Sequence, residues 1–338
     1  MPAWRLVLLL AVVGVAPGEV AAAGPRDITR WSHSFYYPAS AVAEDVAEED
    51  RRVPLVVYLH GCQQPAWHAA LTTRLKEWAE YARFAVLMPE QSHLRNGWKC
   101  WNWFLGDNTS EMDMVVRLVE AYQEQFGLLR TRTYVMGLSA GGVMSAHLLA
   151  CRSDVFSAGA VFSGAAYRAL GVPAWRGWEG LGASPRSPEE LAASAARCMA
   201  RRESPRPVPV LVFHGATDVV AWPANAPQVA HQFSGANHII TRGPGGLAGA
   251  FRPVQHRVVR AAPANHDYAV TLYPEVGGAR VVLVRVTGLG HAWSGGPGWV
   301  PFSDPAGPDA TAMALEFLGL LPPRLLRADE TTPWTGLP

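Results

Sequence analysis

Thr133-Tyr134-Val135-Met136-Gly137-Leu138-Ser139-Ala140-Gly141-Gly142-Val143-Met144 is the stretch from which the fold of this chain is read. Thr133 to Met136 is a short apolar run of strand type, and Ala140 to Ala150 continues with helical character. Between them stands Gly-x-Ser-x-Gly. A strand that turns this sharply into a helix needs small residues on both sides of the serine, and the strained turn lifts the hydroxyl above the sheet edge. The helix N-terminus then offers free backbone N–H groups to any oxygen that gains negative charge nearby. The motif alone means little, but placed between a strand and a helix it marks Ser139 as a candidate nucleophile.

Working outward, short β-branched runs alternate with amphipathic stretches. Val53 to Leu59, Phe84 to Met88, Ala158 to Phe162, Val208 to Phe213, Tyr268 to Tyr273 and Val281 to Val286 read as further strands. Leu71 to Arg83, Ser110 to Phe126 and Glu189 to Ala200 read as helices. This order predicts an α/β fold, a mostly parallel doubly wound sheet with helices on both faces. Gly171 to Pro188 is rich in Gly, Pro and Trp, and Thr241 to His266 lacks periodicity and reads as a long surface excursion. There is no internal repeat and no Ser- or Thr-rich linker to an appended polymer-binding domain. A single catalytic domain over residues 24–320, followed by a loosely held tail over 321–338, is expected.

Of 338 residues, 29 are Lys or Arg and 28 are Asp or Glu, a net charge of +1 that lacks the basic excess a nucleic-acid partner requires. A hydrophobic content of 49% is ample for a large core. Residues 1–23 have the form of a signal peptide: Arg5, an apolar run from Leu6 to Ala16, and small residues up to a cleavage point near Ala23. That run is shorter than the roughly 20 residues that span a bilayer, so no integral membrane span is expected. The chain is therefore read as secreted, extracellular or periplasmic, where its four cysteines can pair in any of three ways.

A nucleophilic serine needs a base and a carboxylate that orients it, and in a doubly wound sheet these follow in the order Ser, Asp, His at strand ends. Asp218 lies just past the Val208 to Phe213 strand, and His291 lies past Val281 to Val286 in a glycine-flanked loop. Asp267 lacks a preceding strand, while Asp304 and Asp309 come after the histidine. His60 and His214, each before a glycine at a strand end, read as residues that shape the backbone. Two backbone N–H groups must receive the developing oxyanion. Ala140 supplies one, and Cys62, freed by Gly61, is the candidate for the other. No His-Glu-x-x-His and no Cys/His cluster calls for a metal, and no cofactor is implied.

Leu59-His60-Gly61-Cys62, Cys100-Trp101-Asn102-Trp103-Phe104, Gly137-Leu138-Ser139-Ala140-Gly141-Gly142, Phe213-His214-Gly215 with Asp218, and Gly290-His291-Ala292-Trp293-Ser294-Gly295-Gly296 together resemble one family. It is the extracellular poly(3-hydroxybutyrate) depolymerase type of esterase, an α/β-hydrolase group that includes feruloyl and acetylxylan esterases. The resemblance implies Ser139 as nucleophile, His291 as base, Asp218 as orienter and Cys62 as oxyanion donor. It also implies a Cys62–Cys100 disulfide, leaving Cys151 for Cys198. Trp101, Asn102 and Trp293 are expected to face an apolar groove for the ester. The function so implied is serine-dependent hydrolysis of poly(3-hydroxybutyrate), its oligomers or small neutral esters, the alternative being feruloyl or acetylxylan ester cleavage. A non-catalytic ligand-binding shell is the remote alternative, opposed by the right residue type at every catalytic position.

Overall fold

The computed structural model describes residues 32–42, 46–47, 51–104, 109–169 and 182–323. The signal-peptide reading, most of the tail and the first part of the Gly/Pro/Trp-rich stretch lie outside the described residues. Nine strands form the main sheet: β1 (His33–Tyr36), β2 (Leu55–Leu59), β3 (Ala85–Pro89), β4 (Thr133–Leu138), β5 (Ala158–Phe162), β6 (Val210–Gly215), β7 (Gln255–Val259), β8 (Tyr268–Leu272) and β9 (Val281–Val286). Their spatial order is β1-β3-β2-β4-β5-β6-β9-β8-β7. The six strands from β3 to β9 in that order run parallel, and β1, β8 and β7 are antiparallel additions at the two sides.

Among the described residues seven α-helices cover the sheet: α1 (Ala66–Thr73), α2 (Leu75–Ala82), α3 (Thr109–Phe126), α4 (Ala140–Cys151), α5 (Pro188–Met199), α6 (Asn225–Arg242) and α7 (Ala310–Phe317). Strand β2 is buried along its whole length, which is why it reads as a continuous apolar run. Leu55, Val57 and Leu59 face a core shared with α3, α4, α5 and α6. Val56 and Tyr58 face a second core with α2 and α7. The doubly wound architecture expected from alternation is therefore present, with helices on both faces.

Three features differ from the sequence reading. The helix expected over Leu71 to Arg83 is two helices, because Arg74 adopts a left-handed conformation (φ 53°) and its guanidinium pairs with Asp309 at the start of α7. Thr241 to His266 is not wholly irregular, since it contains β7, an edge strand whose half-exposed Gln255-His256-Arg257-Val258-Val259 lacks a clear alternating signal. Helix α6 is absent from the sequence reading, and about half of its buried face is polar. Gln232 bonds the N–H and C=O of Tyr167, and Asn237 bonds both backbone groups of Val208. Such side chains read as solvated until tertiary partners are present.

Candidate active site

The loops that carry the candidate residues gather at the C-terminal ends of the parallel strands. Ser139 follows β4 directly and has φ 58° and ψ −123°, a conformation that stores strain in any residue with a side chain. The turn is possible because of its glycines: a β-carbon on Gly141 would stand 2.0 Å from the Leu59 carbonyl oxygen, well inside contact. The Ser139 N–H is held by the Phe162 carbonyl at 2.9 Å, and the Ser139 carbonyl receives Val143 N–H at 2.9 Å as α4 begins. These bonds fix the elbow from both sides.

Asp218 is buried in the loop after β6. Its Oδ1 accepts from the amides of Val220 and Ala221 at 2.9 and 2.8 Å, and its Oδ2 accepts from His291 Nδ1 at 2.8 Å. Burial raises the carboxyl pKa, but the His291 hydrogen bond and charge, with the Ala221 amide, outweigh it and hold Asp218 below the usual carboxylate range. With Nδ1–H spent on Asp218, the lone pair of His291 stands on Nε2. The loops bearing the two residues are tied together: the N–H and hydroxyl of Thr217 both donate to the Leu289 carbonyl, at 3.1 and 2.8 Å. His214 lies beneath, its Nε2 donating to the Ala221 carbonyl at 2.8 Å and standing 3.6 Å from Asp218 Oδ2. Burial holds its imidazole neutral by lowering its pKa.

The competing carboxylates are occupied elsewhere. Asp309 caps α7 through the Ala312 amide at 2.9 Å, Asp267 pairs with Arg260, and Asp304 meets His266 at 3.1 Å.

The second half of the candidate site is the loop after β2. A β-carbon on Gly61 would lie 3.4 Å from Ser139 Cβ, so this loop runs beside the candidate nucleophile. Neither the Cys62 nor the Ala140 amide has an acceptor among the described residues. His60 is enclosed, and burial lowers its pKa to about 4. Its Nε2 accepts from Gln91 N–H at 2.9 Å, so Nδ1 carries the proton and donates to the Gly61 carbonyl at 2.6 Å. The disulfide Cys62–Cys100 ties the loop to the segment after β3, and Cys151–Cys198 ties α4 to α5. Both pairings agree with the expectation.

Two expected groove residues are corrected. Trp101 is 0% exposed and donates Nε1–H to the His60 carbonyl at 3.0 Å. Trp293 is 1% exposed, donates to Thr311 Oγ1 at 3.1 Å and packs its ring 4.2 Å from that of Phe162. Both indoles find buried acceptors and lie in the core rather than in a groove. Asn102, half-buried, spends its amide on Glu111 and its carbonyl on Asn96. Just before this segment, Trp98 reaches the surface, 55% exposed. It lines a cleft of about 460 Å³ with Gln63, Pro65, His93, Gly97 and Lys99, next in sequence to Cys62 and Cys100. Among the described residues no cluster of three His, Cys, Asp or Glu side chains gathers for a metal ion, and no helix is long and apolar enough to cross a membrane.

The family model for esterase PHB depolymerase matches residues 31–255. The chain belongs to this family. Among curated proteins it is similar to poly(3-hydroxyalkanoate) depolymerase C of Paucimonas lemoignei, 29% identical over 64% of this chain and 53% of that protein. It is also 29% identical to feruloyl esterase B of Thermothelomyces thermophilus, over 55% of this chain and 66% of the relative. The matches thus span between half and two-thirds of these relatives. Among solved structures, an acetyl xylan esterase from Aspergillus awamori superposes with a TM-score of 0.64 at 18% identity, covering 90% of this chain and 98% of that one, a likeness of fold.

Proposed function

We propose that the chain is an exported serine carboxylic-ester hydrolase with Ser139, His291 and Asp218 as its catalytic residues. The observation that carries this reading is the buried Asp218 accepting from His291 Nδ1 at 2.8 Å, with a serine held at positive φ at the end of β4, in the same parallel sheet as the strands that precede Asp218 and His291. In the proposed reaction Ser139 Oγ attacks the ester carbonyl carbon while His291 Nε2 takes its proton. Asp218 keeps the imidazole in the tautomer that has Nε2 free and stabilises the cation that forms. The carbonyl oxygen becomes an oxyanion received by the Cys62 and Ala140 amides. Collapse of the tetrahedral intermediate expels the alcohol, which receives the proton from His291. Water, activated by the same base, then releases the acid from the acyl-enzyme and restores Ser139.

For the substrate we propose poly(3-hydroxybutyrate), in amorphous form or as oligomers, supported by the family match and the depolymerase relative. A second reading, removal of feruloyl or acetyl groups from plant polysaccharides, is supported by the equal identity to feruloyl esterase B over a larger share of that protein. The test compares wild type with Ser139→Ala on a suspension of amorphous poly(3-hydroxybutyrate), on feruloylated arabinoxylan and on p-nitrophenyl butyrate. Loss of several orders of magnitude in the variant is expected if the three residues act as a unit. Clearing of the suspension by wild type alone supports the polyester reading. Ser139-dependent release of ferulate without clearing moves the assignment to polysaccharide esters, and no Ser139-dependent cleavage of any ester overturns the enzyme.

A further inference from the structure

Glu111, in the first turn of α3, is 2% exposed, yet its two carboxylate oxygens serve a part of the molecule distant in sequence. Oε1 accepts from Gln91 Nε2 at 2.5 Å and from Asn102 Nδ2 at 2.7 Å, and Oε2 accepts from the Asn102 backbone N–H at 2.8 Å. Each partner leads to the loop after β2. Gln91 gives its backbone N–H to His60 Nε2, and His60 in turn holds the Gly61 carbonyl. Asn102 adjoins Trp101, whose indole N–H holds the His60 carbonyl, and stands two residues after Cys100, which is bonded to Cys62. Gln91 also joins the two routes, because its Nε2 reaches the Cys100 carbonyl at 3.3 Å.

We infer that Glu111 is a positioning residue for the oxyanion loop: it holds Gln91 and Asn102, and these hold His60-Gly61-Cys62 at the distance from Ser139 that makes the Cys62 amide a donor. The inference rests on the proposed role of Cys62. A carboxylate suits the place because three amide N–H groups converge on two oxygens, and a side-chain amide would set one donor against another. Glu111 touches no reacting atom. Its effect is the placement of a donor whose loss costs an acyl-transfer enzyme about 10²–10³ in kcat.

The test measures kcat and KM on p-nitrophenyl butyrate for wild type, Glu111→Ala, Glu111→Gln and Gln91→Met. Active sites are counted by labelling Ser139 to completion with an organophosphonate, so that misfolded protein is excluded from kcat. The expected result is a fall in kcat per labelled site of about 10²-fold for Glu111→Ala and about tenfold for Glu111→Gln, with KM within a factor of two. Glu111→Gln with Gln91→Met should lose less than the product of the two single losses, because both act on one loop. If Glu111→Ala does not fold, Glu111→Gln and Gln91→Met decide. Wild-type kcat per labelled site in these variants, with only thermal stability reduced, overturns the inference and leaves the esterase standing. A wild type that neither labels nor cleaves the ester overturns both.

Discussion

Asp218 shows how much a single buried carboxylate is asked to do. It shapes its own loop through Oδ1 and orients the imidazole of His291 through Oδ2. Asp218→Asn keeps the shape but sets an amide or a carbonyl dipole where a charge stood, and favours the imidazole tautomer with Nε2 protonated. We expect kcat on p-nitrophenyl butyrate to fall by on the order of 10⁴, with KM little changed. Gly141 is constrained by space rather than chemistry. Gly141→Ala puts a methyl group against the Leu59 carbonyl at 2.0 Å, and either the elbow or β2 must move. Destabilisation of about 3 kcal/mol in urea unfolding is expected, with loss of activity beyond the unfolded fraction.

At the scale of elements, α5 begins with a reciprocal cap: Ser187 Oγ accepts from Glu190 N–H, and the Glu190 carboxylate accepts from Ser187 N–H. Ser187→Ala should cost about 1 kcal/mol in urea unfolding, without effect on kcat. The same helix is joined to α4 by Cys151–Cys198 across a separation of 47 residues. Replacing both cysteines by serine removes a constraint on the unfolded chain worth about 4 kcal/mol, read as the change in unfolding free energy with m-value compared. Elements whose apolar residues are local and continuous, β2 and β4 buried on both faces and α3 with its apolar stripe, were legible in sequence. Helix α6 was not, because Gln232 and Asn237 are buried by bonding backbone of other segments, and no local pattern encodes that. The break at Arg74 was equally hidden, since it takes an Asp309 from the far end of the chain to hold the guanidinium there.

For the molecule as a whole, buried neutral histidines set the response to acid. His60 and His214 both have imidazole pKa values lowered by burial, His60 to about 4 from an ordinary 6.5. The unfolded chain therefore binds more protons than the folded one between these values, and stability falls as pH drops through that window. For His60 the loss is roughly 3 kcal/mol across the window. Urea unfolding at pH 7 and pH 4.5 should show the decline, and His60→Gln should flatten it in part. Asp218 adds a loss only at lower pH, because its folded pKa lies below the unfolded carboxylate value and its contribution persists until the pH falls through it.

The fold class, the elbow and the chain order of Ser139, Asp218 and His291 as candidates are written in the residues, because strand and helix periods and the small residues of a tight turn are local properties. Which indoles are core, which carboxylates are already spent and what holds the loop of Cys62 emerge from the folded arrangement alone. Trp101 and Trp98 stand three residues apart in the chain, one buried on the His60 carbonyl and the other 55% exposed. Burial and hydrogen-bond partnership depend on segments brought together across the sheet, and composition at either position does not record them.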